Sequence, residues 1–192
     1  SFQMGHRLCR PPLAQQQAAD VALRVRLARI ERNRALQMLK RHGEAVDSFD
    51  RSLELESKNE RTWNGKGASL HMMGKNEDSI ACFDRAIKLK EGFLEAWNNK
   101  GNILLTRGQT ESALDCFNRA IELDPDYEKA WNNKGVSYHY LGQHNEAIKC
   151  YDKVLELNPN DDEICINKGV ALKKLGRIME AIQAYDGVAV DL

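Results

Sequence analysis

The sequence predicts an all-α protein built from stacked helix pairs. Three observations carry this: a long echo at a fixed period, glycine and proline where helices must stop, and apolar residues at helical spacing between them. In the echo, Ala96-Trp97-Asn98-Asn99-Lys100-Gly101 returns 34 residues later as Ala130-Trp131-Asn132-Asn133-Lys134-Gly135. One period earlier stands Thr62-Trp63-Asn64-Gly65-Lys66-Gly67, and one period later Ile164-Cys165-Ile166-Asn167-Lys168-Gly169. The other half of the unit repeats as Cys82-Phe83-Asp84-Arg85-Ala86-Ile87, Cys116-Phe117-Asn118-Arg119-Ala120-Ile121 and Cys150-Tyr151-Asp152-Lys153-Val154-Leu155.

Each unit predicts two helices. First helices are expected over 60–73, 94–107, 128–141 and 162–175, and second helices over 77–89, 111–123, 145–157 and 178–190. Gly74, Gly108, Gly142 and Gly176 close the first helices, because a helix C-cap wants positive φ and glycine takes it without a Cβ clash. Pro125 and Pro159 end two of the second helices. Gly67, Gly101, Gly135 and Gly169 fall mid-helix, where glycine costs about 1 kcal/mol relative to alanine. That cost predicts close approach of a neighbouring helix. The expected partners are the small residues Ser79, Ala113, Ala147 and Ala181, with Phe83, Phe117, Tyr151 and Tyr185 filling the remaining gap. Trp63, Trp97 and Trp131 follow the same period and are read as inter-helix core rather than a ligand cage.

These positions together (the tryptophan, the glycine four residues later, the small residue, the aromatic four after it, and the closing proline) resemble the tetratricopeptide repeat family. Four units match: 60–93, 94–127, 128–161 and a truncated 162–192. Residues 14–59 read as an N-terminal helix with a degenerate first repeat. Gly43–Leu55 makes a good second helix, but Arg29 and Asn33 stand where tryptophan and glycine belong. Residues 1–13 read as disordered or tag-derived, with Ser1-Phe2-Gln3 ahead of Met4. The last unit breaks off without a polar cap, which reads as a fragment of a longer chain. The resemblance implies an all-α, right-handed superhelical solenoid of antiparallel helix pairs, with the first helices lining a concave groove.

Composition narrows the function. Residues 1–41 hold nine Lys/Arg against two Asp/Glu, a balance of +7 that the remainder offsets. The Arg-rich stretch, Arg24 to Arg41, is read as a solvated helix face, so nucleic acid is disfavoured as a partner. It would also suit a transit peptide, except that it lacks serine. No apolar run reaches the ~18 residues of a membrane span. Five cysteines without a paired framework read as reduced thiols of a cytoplasmic protein. Cys82, Cys116 and Cys150 are too far apart for a disulfide and read as small core hydrophobes. His139 and His144, five residues apart, do not share a helix face. No catalytic constellation, metal-ligand set or cofactor motif is found, so the chain reads as non-catalytic.

The resemblance also implies which residues face the groove. These are Asn64, Gly65 and Ala68; Asn98, Asn99 and Asn102; Asn132, Asn133 and Val136; Ile166, Asn167 and Val170. One turn on come His71 and Met72, Leu105 and Thr106, His139 and Tyr140, Lys173 and Lys174. Asn99, Asn133 and Asn167 form a ladder of one amide per repeat, and an amide can grip both the N–H and the C=O of a peptide unit. The alternative is that these amides tie neighbouring first helices together. The family pattern for chaperone C-terminal tails falls on Asn98, Asn102, Asn133, Glu163 and Asn167, where the basic positions fail; one register earlier only Asn99 and Lys129 match. Chaperone tails are therefore disfavoured. The candidate peptide-binding residues are Asn64, Asn98, Asn99, Asn102, Lys129, Asn132, Asn133, Tyr140 and Asn167. The expected partner is a protein or an extended peptide. The alternatives are end-to-end assembly with further copies of the chain, or a regulatory region of a larger protein.

Overall fold

A computed structural model describes the backbone of residues 13–186 and the side chains from residue 22 onward. Among these residues there are nine helices and no strand. They are α1 (Leu13–Leu55), α2 (Glu60–Met72), α3 (Asn76–Leu89), α4 (Leu94–Thr106), α5 (Thr110–Leu123), α6 (Glu128–Tyr140), α7 (His144–Leu157), α8 (Asp162–Lys174) and α9 (Ile178–Asp186). The expectations for residues 1–12, and for the end of the last second helix, lie outside the described residues. The chain divides into two units at His42/Gly43. In the first, the residues of α1 from 22 to 41 are solvent-exposed. The second is a solenoid of helix pairs, α2 with α3, α4 with α5, α6 with α7 and α8 with α9, in which successive first helices also touch.

Local chemistry sets the ends. Asn59 caps α2 by accepting from the backbone N–H of Thr62 at 3.0 Å, and Asp161 caps α8 by accepting from Ile164 at 3.1 Å. Gly74, Gly108, Gly142 and Gly176 sit just past the first helices with φ of 73–76°. Each tryptophan pins the turn ahead of its helix. Trp63 donates its indole N–H to Ser57 O, Trp97 to Glu91 O and Trp131 to Pro125 O, at 3.0, 2.9 and 2.8 Å.

The mid-helix glycines differ from expectation in what they face. A Cβ added to Gly67, Gly101 or Gly135 would meet a ring carbon of Phe83, Phe117 or Tyr151 at 2.6–2.7 Å, and one on Gly169 would overlap Tyr185. The aromatic ring itself fills the glycine's space. The small residue packs beside it: Ser79 donates its hydroxyl to Gly67 O at 2.6 Å. Phe83, Phe117 and Tyr151 are buried, so these seats form the core.

A second difference is the first helix. Where the sequence suggests two or more helices over 14–55, α1 runs without a turn. Gly43 does not take positive φ, and nothing would lie within 4 Å of a Cβ there. With Arg29 and Asn33 in place of tryptophan and glycine, the residues that pull a first helix onto its second are missing. Phe49 instead seats on Gly65 of α2, 2.7 Å from where a Cβ would be.

An ion-pair ladder runs between units. Lys66 pairs with Asp50, Lys100 with Asp84 and Lys168 with Asp152. At the fourth equivalent position Asn118 replaces the aspartate, and Lys134 lies over the Trp131 ring at 5.1 Å.

Candidate functional site

The first-helix asparagines divide into two kinds. Asn99 donates its side-chain N–H to Asn64 Oδ1 at 3.1 Å, and Asn133 to Asn98 Oδ1 at 2.9 Å. These rungs join α4 to α2 and α6 to α4. Asn98 is 4% exposed, so its amide belongs to the packing. The third rung is open. Asn167 makes no such bond, and the Oδ1 of Asn132, its counterpart, is buried without a hydrogen-bond partner. At the next acceptor position Ile166 replaces asparagine.

Three pockets lie in register along the first helices, and each contains one ladder amide. The pocket between α2 and α4, about 160 Å³, is lined by Asn99, Asn102, Ala68, His71, Met72 and Phe83. The pocket between α4 and α6, about 600 Å³, is lined by Asn102, Asn133, Tyr140, Leu105, Val136 and Thr110. The pocket between α6 and α8, about 250 Å³, holds Asn167, Tyr140, His139, Val136, Val170 and Tyr151. The structure thus brings Asn99, Asn102, Asn133, Tyr140 and Asn167 to one row of pockets. Asn64 and Asn98 serve as rung acceptors. Lys129 and Asn132 line a separate cavity with Glu128, Asp161 and Glu163. Phe83 and Tyr151, which the sequence assigned wholly to the core, reach the row because each ring lies against a glycine. No sequence signal separates that role from packing.

None of the residues lining the three groove pockets is an aspartate or glutamate. His139 and His144 do meet, with ring centroids 4.9 Å apart. They share no helix face, since α6 ends at Tyr140 and His144 opens α7, and it is the turn between the helices that brings the rings together. Burial, with His144 and Lys174 nearby, holds the His139 imidazole below its ordinary value. Among the described residues no three His, Cys, Asp or Glu side chains converge as a metal site. Burial pushes the Cys116 and Cys150 thiols up to about 11 and raises Cys82, which makes them poor nucleophiles at neutral pH. No helix of the described residues is long and apolar enough to cross a membrane.

Glycine-seated helix pairs, each first helix closed by a glycine of positive φ and stacked in register, define a helical-repeat scaffold of the protein-interaction class. Models of the tetratricopeptide repeat match residues 60–93, 94–127, 128–161 and 150–183, and the chain belongs to that family. Its fold is similar to that of MamA. One MamA crystal structure shares 23% identity, covering 74% of this chain and 83% of that one, with a TM-score of 0.68. MamA from Desulfovibrio magneticus RS-1, from residue 41 to its end, shares 21% identity over 83% of this chain and 91% of its own, with a TM-score of 0.69. No curated protein sequence matches the chain.

Proposed function

We propose that the face formed by α2, α4, α6 and α8 captures an extended segment of a partner polypeptide, and that the chain is a non-catalytic, cytoplasmic scaffold with units at 60–93, 94–127, 128–161 and from 162 onward. The observation that carries this reading is the register of pocket and amide: each space between neighbouring first helices holds one of Asn99, Asn133 and Asn167. The rungs do not rule it out. A carboxamide has two N–H protons and an acceptor oxygen, so Asn99 and Asn133 each keep one N–H and the oxygen after making a rung. Asn167 keeps all of its bonding capacity. Buried, unpaired thiols suit a reducing compartment.

The test is affinity capture with the wild type and Asn167→Ala. Since Asn167 supports no rung, capture should fall while the melting temperature holds. Equal recovery of partner by the two chains would reject the groove.

A second reading is end-to-end assembly. Ile182 is 46% exposed although Ile148, its equivalent one unit earlier, is 6% exposed; Ile178 and Met179 beside it are exposed too. Sedimentation over a wide concentration range tests this reading, and a constant monomer mass would reject it.

A further inference from the structure

We propose that the captured segment carries a bulky apolar side chain about three residues from a carboxylate, with the first in the pocket between α4 and α6 and the second beside Lys173 and Lys174 at the end of α8. The inference rests on the peptide-capture reading and specifies its ligand. The middle pocket is much larger than its neighbours, at about 600 Å³ against 160 and 250 Å³, and it alone falls within the range of pockets that bury a small ligand, which leaves room for a bulky side chain. Leu105, Val136 and the ring of Tyr140 give it an apolar wall. Tyr140 is 72% exposed, an aromatic surface with nothing packed over it.

Charge along the groove is uneven. The chain from residue 42 on carries an excess of seven acidic over basic side chains, yet none of these acids lines the three pockets. Lys173 and Lys174 are exposed. Their counterparts in the three preceding first helices are His71 and Met72, Leu105 and Thr106, and His139 and Tyr140. A helix dipole welcomes lysine in any last turn, so it does not explain why only α8 has the pair. Lys174 stands at the repeat position of Tyr140, which lines two of the pockets, and its charge is among the influences that hold the His139 imidazole down. Neighbouring helices pack ~8–10 Å apart and an extended chain advances ~3.3 Å per residue, so one step along the row is about three ligand residues. Asn133 and Asn167 would hold the peptide units between the two anchors.

The experiment measures fluorescence anisotropy of labelled synthetic glycine-serine peptides added to the full chain. The peptides carry phenylalanine and aspartate three residues apart, in both orders. Controls replace the aspartate by lysine or the phenylalanine by alanine. The phenylalanine–aspartate peptide should bind tightest, and either replacement should weaken it about tenfold. A chain with Lys173→Glu and Lys174→Glu should reverse the preference toward the lysine peptide while keeping its helicity and melting temperature. Binding that is indifferent to peptide charge, or a preference that does not reverse, overturns the inference. If Asn167→Ala, which breaks no rung, still abolishes that binding, the capture reading survives. Failure of every peptide to bind the wild type overturns both.

Discussion

Asn133 on α6 donates its side-chain N–H to Asn98 on α4 across 2.9 Å, and the acceptor is almost wholly buried. A hydrogen bond between two uncharged amides is worth about 1 kcal/mol net, and orphaning a buried partner costs more than leaving a surface amide unmade. Asn133→Ala, which leaves the buried Asn98 Oδ1 without its donor, should therefore destabilise the chain by roughly 1–2 kcal/mol in urea unfolding. Asn167→Ala, with no rung to lose, should lie within about 0.5 kcal/mol of wild type. Equal losses at the two positions would show that the rungs do not bear on stability.

The two kinds of helical glycine should respond oppositely to a methyl group. A Cβ at Gly101 would sit 2.6 Å from the ring of Phe117, which is fully buried and has nowhere to move. Gly101→Ala gains about 1 kcal/mol of helix propensity but should lose roughly 1–2 kcal/mol overall to overpacking. Gly43→Ala meets nothing and should gain about 0.5–1 kcal/mol. Thermal melts of both variants decide it. A stabilised Gly101→Ala would mean the ring seat is loose.

Lys134 stands where its counterparts Lys66, Lys100 and Lys168 each meet an aspartate. Asn118→Asp should restore the pair and add up to about 1 kcal/mol in low salt, fading as salt rises. A gain that is unchanged by salt would point to something other than charge.

His139 is held below its ordinary value by burial, with His144 from α7 and Lys174 from α8 adding to the effect. The folded chain thus binds a proton there less readily than the unfolded chain. Stability is full above the unfolded value of about 6.5 and declines as pH falls through the lower folded value. His139→Gln should flatten stability between pH 7 and pH 5, read from urea midpoints. An unchanged pH dependence would remove His139 as its source.

The helix pairs were legible because their signals are local: a glycine past each first helix, a proline past two second helices, a tryptophan and glycine one turn apart. The continuity of α1 was not, since Gly43 looks like a break and nothing local shows that its φ stays helical. That the amides tie neighbouring first helices was the alternative reading of the sequence, but the pairing of the rungs was hidden for a different reason. They join Asn64 to Asn99 and Asn98 to Asn133, 35 residues apart, while alignment at the period pairs each residue with its own copy 34 away. The pockets depended on side-chain volume between helices, so Asn99, Asn133 and Asn167 were readable as a row while the larger middle space was not. The contact between His139 and His144 was not readable because spacing along one helix says nothing about residues on either side of a turn.

Phe49 occupies the space that an asparagine would need at position 65, so Gly65 is the missing first member of the amide row. On the proposed capture, the Phe49 ring against α2 would thus determine where reading of a bound strand begins. Three amides, each about three ligand residues apart, would then give a reading frame of about seven residues. Lengthening that frame toward the N-terminus would require trimming Phe49 before any amide could be added at 65.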